Sequence, residues 1–263
     1  MAPREIYPSA PLALVAAEVR HSTSPPLSEP DKTALKSLLS ASFPLWKPAQ
    51  RMNLGVNASG TSATVTTDPR FMSRDRTSSV TYRDDAIVVE TTRYERRSEL
   101  RALLEMAVAA RQKVASIDGV ERLGIRFVNE IRVPELESPS EWSRWIAPSL
   151  TGPASLKPAN GMELQSWQGL AIFGTQTAGV VVRHGAFEGY AVNPVGDLQR
   201  VAPPPGPFFL LDMDCFWTPE GETPPLEWGE LEARYNEASL SAYDLFEQLI
   251  TDKLREEVLR YVR

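Results

Sequence analysis

Apolar residues alternate along PLALVAAEVR, residues 11–20: Leu12, Leu14 and Ala16 share a side with Glu18, and Val15, Ala17 and Val19 take the other. A period of two is the mark of extended chain, whose successive side chains point to opposite faces, so this segment is predicted to be a strand covered on both sides. The period then changes. From about Asp31 to Phe43 the apolar positions Leu35, Leu38, Leu39 and Phe43 fall at helical spacing, and Ser28 and Asp31 supply a cap. Polar NASGTSATVTTD leads into SVTYRDDAIVVETTRY, where Asp84-Asp85 turns one strand into the next, with an extra strand inserted near residues 61–72. Residues 98–115 form the clearest helix, with Leu100, Leu103, Leu104, Ala107, Val108 and Val114 along one side. GVERLGIRFVNEIRVP returns to alternation. Leu123, Ile125, Phe127, Ile131 and Val133 share a face with Asn129, and Arg126, Val128, Glu130 and Arg132 share the other.

The second half begins with SPSEWSRWI, where Ser138, Pro139 and Glu141 stand at cap, first-turn and capping-box positions of a short helix. Four short antiparallel strands are predicted after it, in ELQSWQGLAIFG, AGVVVRHGAF, GYAVNPVG and PFFLLDMDCFW, separated by Gly, Asn and Pro turns. A long helix from about Ser239 to Arg263 closes the chain, its Tyr243, Phe246, Ile250, Leu254, Val258 and Tyr261 recurring at three and four. The order of elements predicts an α+β fold: a ferredoxin-like split-βαβ part over residues 1–138, then an antiparallel meander and helix over 139–263, packed together as one unit.

Composition narrows the functional classes. With 263 residues and 42% hydrophobic content the chain is large enough to bury a core without staples, and Cys215 has no second cysteine to pair with. One cysteine and two histidines, His21 and His184, cannot assemble a four-ligand zinc site of the usual kind. The N-terminus lacks the basic region of a signal peptide and no run approaches the ~20 apolar residues of a membrane span, so a cytoplasmic protein is expected. The net charge of −6 argues against a simple nucleic-acid coat, and it is unevenly placed. Residues 1–138 carry 19 Lys/Arg against 17 Asp/Glu; residues 139–263 carry 9 against 17.

Few residues suggest chemistry. Asp212 and Asp214, two apart in FFLLDMDCFW, fall on one side of a strand, as do the carboxylates that hold divalent metals in nucleotidyl-transfer enzymes. The upstream VAPPPGP, however, removes backbone donors that a phosphate needs. His21, closing the first strand beside Arg20, stands where a metal-independent ribonuclease on a ferredoxin-like scaffold would place a general base; the alternative is a solvated strand end. The arginines between Arg70 and Arg101 are interleaved with acids, which favours a salt-bridged surface over a phosphate grip. G-x-S-x-G, Walker, G-x-G-x-x-G and H-E-x-x-H patterns are all missing, so no cofactor is expected. Glu18 and Arg20 on the first strand would neighbour Arg126, Glu130 and Arg132 if first and last strands of the split-βαβ unit lie side by side. These five form the candidate binding set, read either as a cross-strand charge ladder or as a polar groove for a ligand.

PLALVAAEVR (11–20), RLGIRFVNEIRVP (122–134) and LSAYDLFEQLITDKLREEV (240–258) together resemble a sporadically distributed bacterial family of uncharacterised proteins of about this length. The resemblance covers nearly the whole chain and carries over no catalytic residue. Its patchy distribution implies the accessory gene pool: mobile, toxin–antitoxin-like or phage-defence loci. The reading of the sequence is therefore a non-catalytic interaction protein that self-associates or binds a protein partner. The alternative is a nucleic-acid-acting enzyme using His21, or Asp212 and Asp214 with metal.

Overall fold

The computed structural model describes residues 5–57, 60–157 and 159–261. Nine strands form one antiparallel sheet. The central ones are β1 (Leu12–His21), β7 (Ala86–Thr91), β8 (Val120–Ile131) and β11 (Gly206–Trp217), with β10 (Ala178–Gly189) and β9 (Trp167–Gly174) toward one edge. Toward the other edge lie β6 (Ser78–Tyr82), β5 (Arg70–Met72) and the two-residue β2 (Leu45–Trp46), while β3 (Ala49–Asn57) and β4 (Gly60–Asp68) pair as a separate hairpin. The order across the large sheet is β2-β5-β6-β7-β1-β8-β11-β10-β9. Both halves of the chain contribute to it, joined where β8 of the first half pairs with β11 of the second.

The registers explain the alternation. Val15, Ala17 and Val19 stand opposite Phe127, Ile125 and Leu123, and these continue to Met213 and Cys215 and on to Val182 and Val180. This face is buried against three helices: α1 (Glu29–Leu39), α2 (Arg97–Val114) and α3 (Trp228–Leu249). Leu35 and Leu39 of α1, Leu100, Leu104 and Ala107 of α2, and Tyr235, Ala242 and Phe246 of α3 complete one core with the sheet. The Tyr82 hydroxyl donates to the Ala107 carbonyl and the Tyr235 hydroxyl to that of Arg97, tying helices to sheet and to each other. Trp142 and Trp145 are buried here, as core packing of the tryptophans requires. Four strands lie in the order β6-β7-β1-β8, with α1 on the connection leaving β1 and α2 on that between β7 and β8.

Local signals hold at several ends. Ser28 and Asp31 form a reciprocal capping box on α1, and the Asp84-Asp85 turn joins β6 to β7. Two expectations are corrected. The predicted strand GYAVNPVG does not form: residues 190–205 are a loop with a single bridge between Val195 and Gln199. Its Gly, Asn and Pro are turn formers, and Gln199 bonds to Arg76 in the β5–β6 turn and to Thr92 just after β7. The closing helix starts earlier, at Trp228, and stops at Leu249. There the Leu249 carbonyl accepts from Ala147 and the Thr251 amide donates to Trp145, so Ile250 is extended and bridges Ile146. Thr251 then caps a further short helical segment, Asp252–Leu254. The predicted end, Arg263, lies outside the described residues.

Candidate functional site

Strand alternation sends one set of side chains to the helices and the other to the opposite sheet face, where the charged candidates gather. Glu18, Arg20, Arg122, Arg126, Glu130, Asp212 and Asp214 all occupy this face. Among the described residues no ion pair joins Glu18 or Arg20 to Arg126, Glu130 or Arg132, and the cross-strand pairs that form use other partners. Glu18 bonds Arg20 at 2.6 Å and reaches Arg122 at 3.5 Å on β8 and Arg83 at 3.2 Å. Arg122 also holds Asp214 at 2.9 Å and lies over the Phe216 ring. Arg126 grips Asp212 with two hydrogen bonds of 2.7 Å. Arg183 on β10 approaches the same carboxylate at 4.0 Å. On the other flank Arg51 contacts Asp68 and Asp84, so the row of ion pairs runs from the β3–β4 hairpin to β10.

The geometry of Asp212 and Asp214 bears on the metal alternative. They share a face, but each carboxylate is held by its own arginine, and Asp212 is 3% exposed under Arg126. Among the described residues no group of three or more His, Cys, Asp and Glu is placed to hold a metal ion. The donors present therefore do not fit a bound ion. Glu90, on β7 opposite Ala16, has one long bond of 3.4 Å from Ser79, and burial raises its carboxyl pKa above the ordinary range. Sequence reading did not single it out, because only the register brings it beside the charged row.

Glu130 and Arg132 have another task. Glu130 is buried and bonds Arg132 at 2.9 Å, Arg200, and the Ala191 amide at 2.8 Å. Arg132 in turn donates to the Gly189 carbonyl and lies over the rings of Tyr190 and Phe208. These contacts fasten the 190–205 loop, which crosses to the far strands: the Gln199 amide donates to Arg76, Thr92 donates to the Gln199 carbonyl, and Asp197 pairs with Arg70 and Lys47. Those two cations hold Asp197 down at about 2. Two of the five candidate binding residues thus anchor a strap.

His21 is not a solvated strand end: it is fully buried on the helix face. Its Nδ1 lies 2.9 Å from the Ser22 carbonyl oxygen, Nε2 has no partner among the described residues, and burial lowers its pKa. Within the same set, no hydrogen bond joins it to a second titratable group. His184 lies within β10, stacked on Phe209 and seated over Gly169, whose missing side chain leaves room for the ring. Its pKa is also lowered by burial. Cys215 is buried, its thiol pushed up to about 12. Two open recesses, of about 120 Å³ beside Trp142 and about 200 Å³ beside Tyr94, contain none of His21, Asp212 and Asp214.

The two sheet edges differ. β2 has two residues, lies between Pro44 and Pro48, and is followed by Lys47, whose amide already donates to Arg70. β9 has eight residues, WQGLAIFG, and among the described residues only β10 pairs with it. Its Leu170, Ile172 and Phe173 are 62%, 65% and 47% exposed. A long edge of this kind presents unpaired N–H and C=O groups, and natural edges are normally guarded by charge, proline or a bulge. Here no guard stands: Leu164 to Val182 contains no Asp, Glu, Lys or Arg. That gap in the charge pattern is the signal by which sequence alone would have marked the edge.

Among the described residues no helix is long and apolar enough to cross a membrane. No protein-family model matches the chain, and no curated protein matches it.

Proposed function

We propose that this chain is a non-catalytic cytoplasmic interaction protein, built on a ferredoxin-like split-βαβ unit with added strands, that takes a protein partner by strand addition at β9. The β8-β1-β7-β6 order and its two helical connections support the first element. The second rests on one observation: an eight-residue edge without charge whose apolar side chains stand in solvent. Backbone groups of such an edge supply affinity to an incoming strand, and alternate side chains supply selectivity. A role in a mobile, toxin–antitoxin-like or phage-defence locus is the further part of the proposal, supported by the resemblance of residues 11–20, 122–134 and 240–258.

The groups considered for catalysis support the same side. His21 is enclosed beneath the helices, and Asp212 and Asp214 are engaged by Arg126 and Arg122. A photo-reactive residue at position 172, introduced into the full chain in its native host, is expected to give a defined protein adduct that the same residue on the outer surface of α3 does not give. No adduct at 172 or at 170 would remove the reading. Labelled RNA and DNA, with and without Mg²⁺ or Mn²⁺, are expected to stay intact; cleavage abolished by His21→Ala or Asp212→Asn would put an enzyme in its place.

A further inference from the structure

The occupant of the β9 edge follows from charge and from the shape of the sheet. We infer that it is β9 of a second copy of this chain, paired antiparallel about a two-fold axis; this rests on the strand-addition reading above.

A foreign partner of a protein with net charge −6 gains from complementary charge, which raises association rate and selectivity. A second copy brings the same charges and gains from a surface that has none. β9 and the first five residues of β10 form such a surface in a chain of 24% charged residues: Leu164 to Val182 contains no charge, and the first charge beyond it, Arg183 opposite Leu170, faces the Asp212 carboxylate at 4.0 Å. Antiparallel pairing of a strand with itself is isologous, so it closes at two copies. A two-fold axis at Ala171 sets Leu170 opposite Ile172 of the second copy, and Ile172 opposite its Leu170. All four then lie on one sheet face, where they cover one another. Strand-to-strand apolar pairs of this kind are the unit of sheet stabilisation.

The opposite edge explains why assembly stops there. Continuing the nine-stranded sheet head to tail needs β9 of one copy to pair with β2 of the next, and β2 offers only Leu45 and Trp46 between two prolines. Of the two edges of the nine-stranded sheet, the one that matches β9 in length is β9 itself. One strand pair is a small contact, below the ~1,000 Å² of a stable biological interface, so the dimer is a weak one.

Sedimentation velocity over a wide concentration series tests this with the full chain. The expected result is a concentration-dependent monomer–dimer equilibrium. Ile172→Glu and Leu170→Lys are each expected to shift it at least tenfold toward monomer. Mixing the two variants is expected to restore a dimer, because the two-fold register sets position 170 of one copy against position 172 of the other, so that the introduced ammonium faces the introduced carboxylate. Unfolding midpoints measured on dilute monomer should not change, since both side chains stand mostly in solvent. A dimer indifferent to either substitution, or a variant mixture that stays monomeric, would overturn the inference. A chain that is monomeric throughout would also overturn it. The strand-addition reading would survive that result if the adduct at position 172 contained a different protein, and would fall with it if no adduct formed.

Discussion

The two faces of the β8–β11 pair are held by different forces. Toward the helices, Ile125, Phe127, Ile131, Phe209, Leu211 and Met213 are buried among apolar neighbours. Toward the other side the same two strands present Arg122, Arg126, Glu130, Asp212 and Asp214 in ion pairs. Burial of apolar area is non-directional and adds up over many contacts, whereas an ion pair must first offset the desolvation of both charges. The apolar face therefore supplies stability. The charged face supplies register and, through Glu130, the seat of a loop.

The sharpest way to break this contrast is Phe209→Ala. Phe209 packs against Trp142, Trp167 and His184, and the cavity left behind is expected to cost about 3–5 kcal/mol in denaturant unfolding. Glu130→Gln comes next. The side chains of Glu130 and Arg200 are only 2% and 8% exposed, so the change weakens charged hydrogen bonds in a nearly dry site and is expected to cost about 1.5–3 kcal/mol. It should also open the 190–205 strap to limited proteolysis ahead of global unfolding; a strap as resistant as before would mean that Glu130 does not anchor it.

The smallest effect is a pH dependence from the apolar face. Burial lowers the pKa of both His21 and His184 below the ordinary 6.5, so the unfolded chain binds protons that the folded chain refuses. Their contribution is fully present above pH 6.5 and declines as the pH falls through that value toward the folded-state pKa values, by no more than about 1.4 kcal/mol per pH unit for each histidine. His21→Gln is expected to flatten the decline in unfolding free energy between neutral and mildly acidic pH. An unchanged slope would show that His21 is not the group responsible.

Legibility in the sequence varied with the range of the interaction. The capping box at Ser28 and Asp31, the turn at Asp84-Asp85 and the alternation of β1 and β8 are set by residues within a few positions of one another, and all were visible. The end of α3 was not. Residues 240–258 keep a helical apolar period, yet Ile250 is extended because backbone groups of Trp145 and Ala147 bond across the gap. The candidate site divided the same way. That Glu18, Arg126 and Asp212 share a face follows from period two. That Glu18 meets Arg122, Arg126 meets Asp212, and Glu130 meets Arg200 depends on the order and register of strands far apart in the chain.

The amino-acid sequence by itself determined an α+β chain with amphipathic strands, two capped or clearly striped helices, and a single core, because hydrophobic period and caps act locally. Only the tertiary structure decided that both halves share one nine-stranded sheet, that His21 lies inside, and that β9 is left at an open edge. Strand order is the physical reason: it is fixed by which apolar faces can be covered together, and no window of neighbouring residues contains that information.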